Sequence, residues 1–103
     1  MEAVQSRIRE FCKKHDLDAS PEHRMLDAVS EFGEVAKELL KMSSYGRREP
    51  VFREEIRSEL GDVLFSLIAL ANSLDVNLAD ALDAVLFKYE KRLVKGSAGS
   101  END

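Results

Sequence analysis

Apolar residues recur every three or four positions through four long segments, which is the spacing that places them on one face of an α-helix. Four helices are therefore predicted, over residues 3–15, 21–42, 50–74 and from 78 onward. No segment alternates apolar and polar residues in the way that a half-buried strand does. The fold class that follows is all-α, with the helices packed in the manner of a four-helix bundle.

Local signals at the helix starts support these segments. Ser20 stands before Pro21, and a serine N-cap followed by a first-turn proline is a common way to begin a helix. Asn77 is in position to cap the fourth helix. The polar segment 43–49 (SSYGRRE) is predicted to be a loop, and Pro50 is predicted to open the third helix.

The apolar face of each helix is expected to be buried. On the second helix this face is a stripe formed by Met25, Val29, Phe32, Ala36 and Leu39 or Leu40. On the fourth helix it is a stripe formed by Leu78, Leu82, Val85, Tyr89 and Leu93. The third helix is apolar nearly all the way round from residue 60 to 71, which is typical of a helix buried on most sides. Three partner helices in a short chain do not cover such a helix, so a homodimer or homotetramer is predicted.

Length and charge narrow the class of protein. The 103 residues are interpreted as one all-α domain over 1–95, followed by a small polar tail, 96–103, that is predicted to be disordered. The net charge of −5 argues against nucleic acid as a partner. The longest apolar run, residues 63–71, is far too short to cross a bilayer. With its polar start, the sequence predicts a cytoplasmic protein that binds no membrane.

Two pairs of acidic residues are the strongest candidates for chemistry. Glu31 and Glu34 form an ExxE pair, and Glu59 and Asp62 form an ExxD pair on the next helix. Residues three apart share one helix surface, so four carboxylates meet if the two helices pack face to face. Crowded carboxylates favour a hard divalent cation, Mg²⁺ or Mn²⁺. The alternative is that both pairs are simply solvated helix faces.

Other polar residues are weaker candidates. Lys88 and Arg92 lie one turn apart on the fourth helix, where they could bind phosphate or only complement the negative end of the helix. Asn72 could contact a base or sugar, or could be an ordinary helix-end residue. Gly33 and Gly61 each cost a helix about 1 kcal/mol relative to alanine, which predicts either close helix packing or room for a ligand beside each acidic pair.

These motifs resemble a known family. The segments SEFGEVAKELL (30–40) and SELGDVLFSLIALANSLDVNLADAL (58–82) are similar to the MazG-like nucleotide pyrophosphohydrolases, the all-α NTP pyrophosphatases. The resemblance implies hydrolysis of nucleoside triphosphates to monophosphate and pyrophosphate, with a role in clearing nucleotide pools. It implies catalytic Mg²⁺ ligands at Glu31, Glu34, Glu59 and Asp62, and phosphate binding by Lys88 and Arg92. It also implies dimers or tetramers in which neighbouring subunits complete each site.

Several points stay open at this level. A non-catalytic module that binds nucleotide or metal, and a helical interaction protein, are alternatives to the enzyme. The sequence does not identify the preferred base and sugar, the general base, or the choice between dimer and tetramer. Ser30 stands where some relatives carry an additional acid, which leaves the number of metal ions open.

Overall fold

The structure is a computed structural model that describes residues 1–96, and these residues form helices without any strand. The helices are α1 (Glu2–Lys14), α2 (Pro21–Met42), α3 (Glu55–Ser73) and α4 (Leu78–Val94). The all-α prediction is therefore confirmed. Residues 97–103, where most of the predicted disordered tail falls, lie outside the described residues, and the single-domain boundary at residue 95 stays a prediction.

Both predicted N-caps are present. The Ser20 hydroxyl accepts a hydrogen bond from the His23 backbone N–H at 3.2 Å, and the Asn77 side-chain oxygen accepts one from the Asp80 N–H at 3.0 Å. Each bond satisfies a backbone donor that the first helical turn leaves unpaired. The beginnings of α2 and α4 are thus fixed by local sequence.

The start of α3 differs from the prediction. The helix begins at Glu55, whereas Pro50 was expected to open it. The Val51 N–H donates to the Met42 carbonyl at 2.9 Å, so this part of the chain is held against the end of α2. The Arg53 side chain also reaches back to Glu38 on α2. These contacts hold residues 51 and 53 against α2, and α3 starts only beyond them.

The core lies between α2 and α3, with α1 packed against the second half of α3. Arg53, just before α3, pairs with Glu38 late in α2, while Asp62 approaches Glu31 earlier in α2, so the two helices run antiparallel. Ile68 is completely buried. On the α1 side, the Phe11 and Phe65 rings meet edge to face with centroids 6.0 Å apart, a favourable aromatic arrangement.

The face that α2 turns towards the core is largely polar. Its buried residues are Arg24, Ala28 and Glu38. The stripe predicted to be buried is exposed instead, including Phe32, which is 56% exposed. A single chain therefore leaves this stripe uncovered. Helical spacing reveals which residues share a face, but it does not reveal which partner covers that face.

Helix α4 also departs from the expected packing. None of its residues is buried, and Leu82 and Leu93 on the predicted inner face are 53% and 64% exposed. Its axis is bent by 101° from that of α3. The radius of gyration is 17.3 Å, compared with about 13 Å for a compact chain of 100 residues. A single chain therefore leaves α4 projecting from a three-helix core.

Among the described residues, no single helix is long and apolar enough to cross a membrane. Helices α3 and α4 meet that criterion only when taken together, across the 101° bend.

Candidate metal and phosphate site

Three acidic side chains from α2 and α3 converge on one point. Glu31, Glu59 and Asp62 each place a carboxylate oxygen within 4.8 Å of the others. Glu59 and Asp62 share a surface of α3 because they are three residues apart, and the antiparallel packing brings Glu31 of α2 opposite them. Glu31 and Glu59 are half-buried and Asp62 is exposed. The group is therefore open to solvent on the side of Asp62.

The fourth predicted ligand, Glu34, lies beside this group and outside it. It is exposed one turn further along α2. Its charge nevertheless acts on Glu59, whose pKa lies above the usual value of 4.5 because of burial and then of repulsion from Asp62, Glu34, Glu31 and Glu38. Burial and like charges both disfavour the ionised form of a carboxyl. The four acids therefore form one electrostatic unit that a cation would stabilise.

An arginine that the sequence analysis did not single out borders the acidic group. Arg53 Nε donates to Glu38 Oε2 at 3.2 Å, and its Nη2 lies 3.6 Å from Glu55 Oε2. The Glu38 side chain is only 8% exposed, and this contact raises the pKa of Arg53 above its usual value, mainly through the hydrogen bond to Glu38. A buried glutamate requires such a cation, but the sequence alone gives no sign that Glu38 is buried, so no sequence signal pointed to Arg53.

The two helical glycines near the acids have open space beside them. A Cβ atom added to Gly33 or Gly61 would meet no atom within 4 Å. Close packing against another helix was one of the two explanations predicted for these glycines, and within a single chain no helix approaches either of them so closely. Space for a ligand or for a neighbouring copy remains as the explanation.

Asn72 has a structural role in this fold. Its Oδ1 accepts a hydrogen bond from Gln5 Nε2 at 3.0 Å, and its Nδ2 donates to the Gln5 carbonyl at 3.0 Å. Gln5 is itself buried and also bonds Val76 and Leu78. This network joins α1 to the turn between α3 and α4. The sequence left two roles open for Asn72, recognition of a base or sugar and an ordinary structural role at a helix end. These hydrogen bonds match the second role.

The basic residues of α4 lie far from the acids of the same chain. The side chains of Lys88 and Arg92 flank the Tyr89 ring, 5.6 Å and 5.2 Å from its centroid. With a rise of about 1.5 Å per residue along each helix, the bend between α3 and α4 puts Lys88 about 20 Å from Asp62. One chain therefore does not bring the predicted phosphate-binding residues to the predicted metal ligands.

Comparison with known proteins identifies the family to which this chain belongs. Residues 19–95 match the MazG nucleotide pyrophosphohydrolase domain family. This match covers most of the chain and includes both acidic pairs, so the chain belongs to the MazG family. The family assigns it to the hydrolases that act on nucleotides.

Individual relatives agree with this assignment. The chain is 41% identical over 76 residues to the uncharacterized protein YpjD of Bacillus subtilis strain 168, an alignment that spans 71% of this chain and 67% of YpjD. The crystal structure of YpjD from Bacillus subtilis superposes with a TM-score of 0.74 at 34% identity, covering 89% of this chain and 94% of that one. The Bacillus-conserved MazG protein, a nucleotide pyrophosphohydrolase, gives a TM-score of 0.71 at 31% identity, with coverages of 85% and 86%.

Proposed function

We propose that this protein is a Mg²⁺-dependent nucleoside triphosphate pyrophosphohydrolase, which converts an NTP or dNTP and water to the monophosphate and pyrophosphate. The observation that carries this proposal is the convergence of Glu31, Glu59 and Asp62 within 4.8 Å, beside Glu34. A triphosphate is the substrate class that such a site suits once a cation reverses its charge. Clearing of unwanted nucleotides is the role in keeping with this reaction.

The donor set fits magnesium. All four side chains offer carboxylate oxygens, and Mg²⁺ prefers hard oxygen ligands and commonly joins carboxylates to substrate phosphates. Mn²⁺ accepts the same donors. When bound, the ion would neutralise phosphate charge and activate water for attack on phosphorus. Glu31, Glu34, Glu59 and Asp62 would hold and orient it.

We further propose that a homodimer or homotetramer is the working form. The exposed apolar stripes of α2 and α4 need cover, and apolar faces of this extent on a small protein mark contact surfaces. A second copy would also bring its Lys88 and Arg92 to the acids of the first, which the same chain cannot do across about 20 Å. Sedimentation analysis of the purified chain distinguishes monomer, dimer and tetramer.

A substrate panel tests the proposed reaction. The purified chain is incubated with each NTP and dNTP and Mg²⁺, and the products are separated by ion-exchange chromatography. We expect monophosphate and pyrophosphate in equal amounts, and no turnover when EDTA removes the metal. Binding of nucleotide without products would identify a non-catalytic module. Absence of both binding and turnover would indicate a helical interaction protein.

The raised pKa of Glu59 predicts a linked dependence of stability on pH and metal. The folded state holds this proton more tightly than the unfolded state, so without metal the melting temperature should fall as the pH rises from below 4.5 through the raised pKa. Mg²⁺ requires the ionised carboxylates, so it should raise the melting temperature by several degrees at neutral pH and have little effect at acidic pH.

Glu59→Gln provides the control for this measurement, because an amide cannot titrate. In this variant the metal-free melting temperature should fall less across the same pH window, and Mg²⁺ should stabilise it only weakly. A variant that keeps the full Mg²⁺ effect would remove Glu59 from the proposed ligand set.

A further inference from the structure

Arg53 lies near the acids, on the side of the α2–α3 pair towards the end of α2 and the start of α3. Glu38 lies one helical turn after Glu34 on α2, and Glu55 lies one turn before Glu59 on α3. The Arg53 guanidinium contacts both Glu38 and Glu55, so it bridges the two helices one turn beyond Glu34 on α2 and one turn before Glu59 on α3. One turn of helix is about 5.4 Å, which makes Arg53 a neighbour of whatever the four acids hold.

The contacts of Arg53 leave part of its guanidinium available. Its hydrogen bonds to Glu38 use Nε and Nη2, at 3.2 Å and 3.5 Å, and within residues 1–96 none uses Nη1. The side chain is 36% exposed, whereas that of Glu38 is 8% exposed. Glu38 thus anchors the arginine from the buried side, and the partly exposed guanidinium keeps donors that no hydrogen bond within the described residues uses. A planar guanidinium with free donors is well suited to a phosphate group.

The charge at this site also favours a cation in that position. Four carboxylates outweigh one divalent ion, so a triphosphate bound there would meet residual repulsion unless another positive group is near. We propose that Arg53 is a substrate-binding residue, whose guanidinium receives one phosphate group of a triphosphate while the metal held by the four acids meets the others. This inference rests on the proposed function, and it adds to that function a phosphate-binding residue from the same chain as the acids.

Binding of inorganic tripolyphosphate tests the role of Arg53 without any contribution from a base or sugar. Calorimetric titrations in the presence of Mg²⁺ compare the wild-type chain with Arg53→Gln. We expect the variant to bind tripolyphosphate about tenfold to a hundredfold more weakly, which corresponds to the loss of a charge-assisted hydrogen bond. Binding of Mg²⁺ alone should be unchanged. The KM for the nucleotide that the substrate panel selects should rise by a similar factor.

Three further variants separate phosphate binding from a structural role. Arg57 lies four residues after Arg53 and forms an exposed ion pair with Glu54. Arg57→Gln therefore removes the same charge at a nearby position, and this variant should bind tripolyphosphate like the wild type. Glu38→Gln breaks the same ion pair as Arg53→Gln while keeping the guanidinium, so it should lower the melting temperature comparably and weaken binding far less. Arg53→Lys keeps a cation without the planar fork and should give an intermediate affinity.

The outcomes distinguish this inference from the proposed function. If Arg53→Gln and Glu38→Gln both melt earlier and bind tripolyphosphate like the wild type, the pair is structural and the inference is overturned. If the wild type does not bind tripolyphosphate with Mg²⁺, the inference also fails. Failure to release pyrophosphate from any nucleotide would overturn the proposed function, whereas the tripolyphosphate titrations would still decide the role of Arg53.

Discussion

Asp62→Asn should reduce pyrophosphate release by at least about a hundredfold, the loss typical of removing one group that stabilises transition-state charge. Asp62 is exposed, and its carboxylate oxygen lies within 4.8 Å of those of Glu31 and Glu59. The substitution keeps the shape of the side chain and removes its negative charge. Helix content should therefore be unchanged while metal-dependent turnover is lost, as measured by steady-state kinetics and circular dichroism on the same sample.

Asp75→Asn is the matched control for this experiment. Asp75 is an exposed aspartate just beyond the end of α3, so the same substitution can be made there. Its φ is +56°, a backbone conformation that asparagine also tolerates. Its turnover should equal that of the wild type. If Asp62→Asn retained more than about a tenth of wild-type activity, Asp62 would have no place among the metal ligands.

Mixing two inactive variants should restore activity if neighbouring copies share each site. Asp62→Asn lacks a metal ligand, and the double variant Lys88→Gln, Arg92→Gln lacks the α4 cations. In a two-fold dimer formed from equal amounts of both, half of the molecules are mixed and each has one site with an intact set, so about a quarter of wild-type turnover should return. This expectation follows from the separation of about 20 Å between Asp62 and Lys88 within one chain.

Native mass spectrometry of the mixture supplies the control, because it shows whether mixed oligomers have formed. Mixed oligomers that remain inactive would contradict a shared site. The residues that contact phosphate would then have to come from the same chain as the acids. Full activity of the double variant by itself would remove Lys88 and Arg92 from the site altogether.

The parts of the fold that depend on local sequence could be predicted, whereas the parts that depend on distant contacts could not. Ser20 and Asn77 mark the starts of α2 and α4 through hydrogen bonds to residues three positions away. The start of α3 was misplaced at Pro50, because residues 50–53 are held by Met42 and Glu38 on the preceding helix. Such contacts depend on the path of a loop, which local residue preferences do not determine.

The candidate site shows the same division. The spacing within each pair, Glu31 with Glu34 and Glu59 with Asp62, was enough to predict that its two members lie on one side of their helix. It did not predict that Glu34 would lie outside the group that Glu31 forms with the two acids of α3. The spacing could not reveal that the polar face of α2 is the one packed on α3, or that α4 leaves the core. Arg53 was missed because it lies outside the helices, and only the buried position of Glu38 gives it significance.

A single copy of this chain presents exposed apolar stripes on α2 and α4. Under the proposed assembly, association of copies into the correct oligomer competes with aggregation, because both use the same exposed apolar surfaces. Dilution would weaken the protein as well as inactivate it, because association and stability are coupled. At low expression levels the separated chain would therefore be more exposed to proteases than the assembled protein.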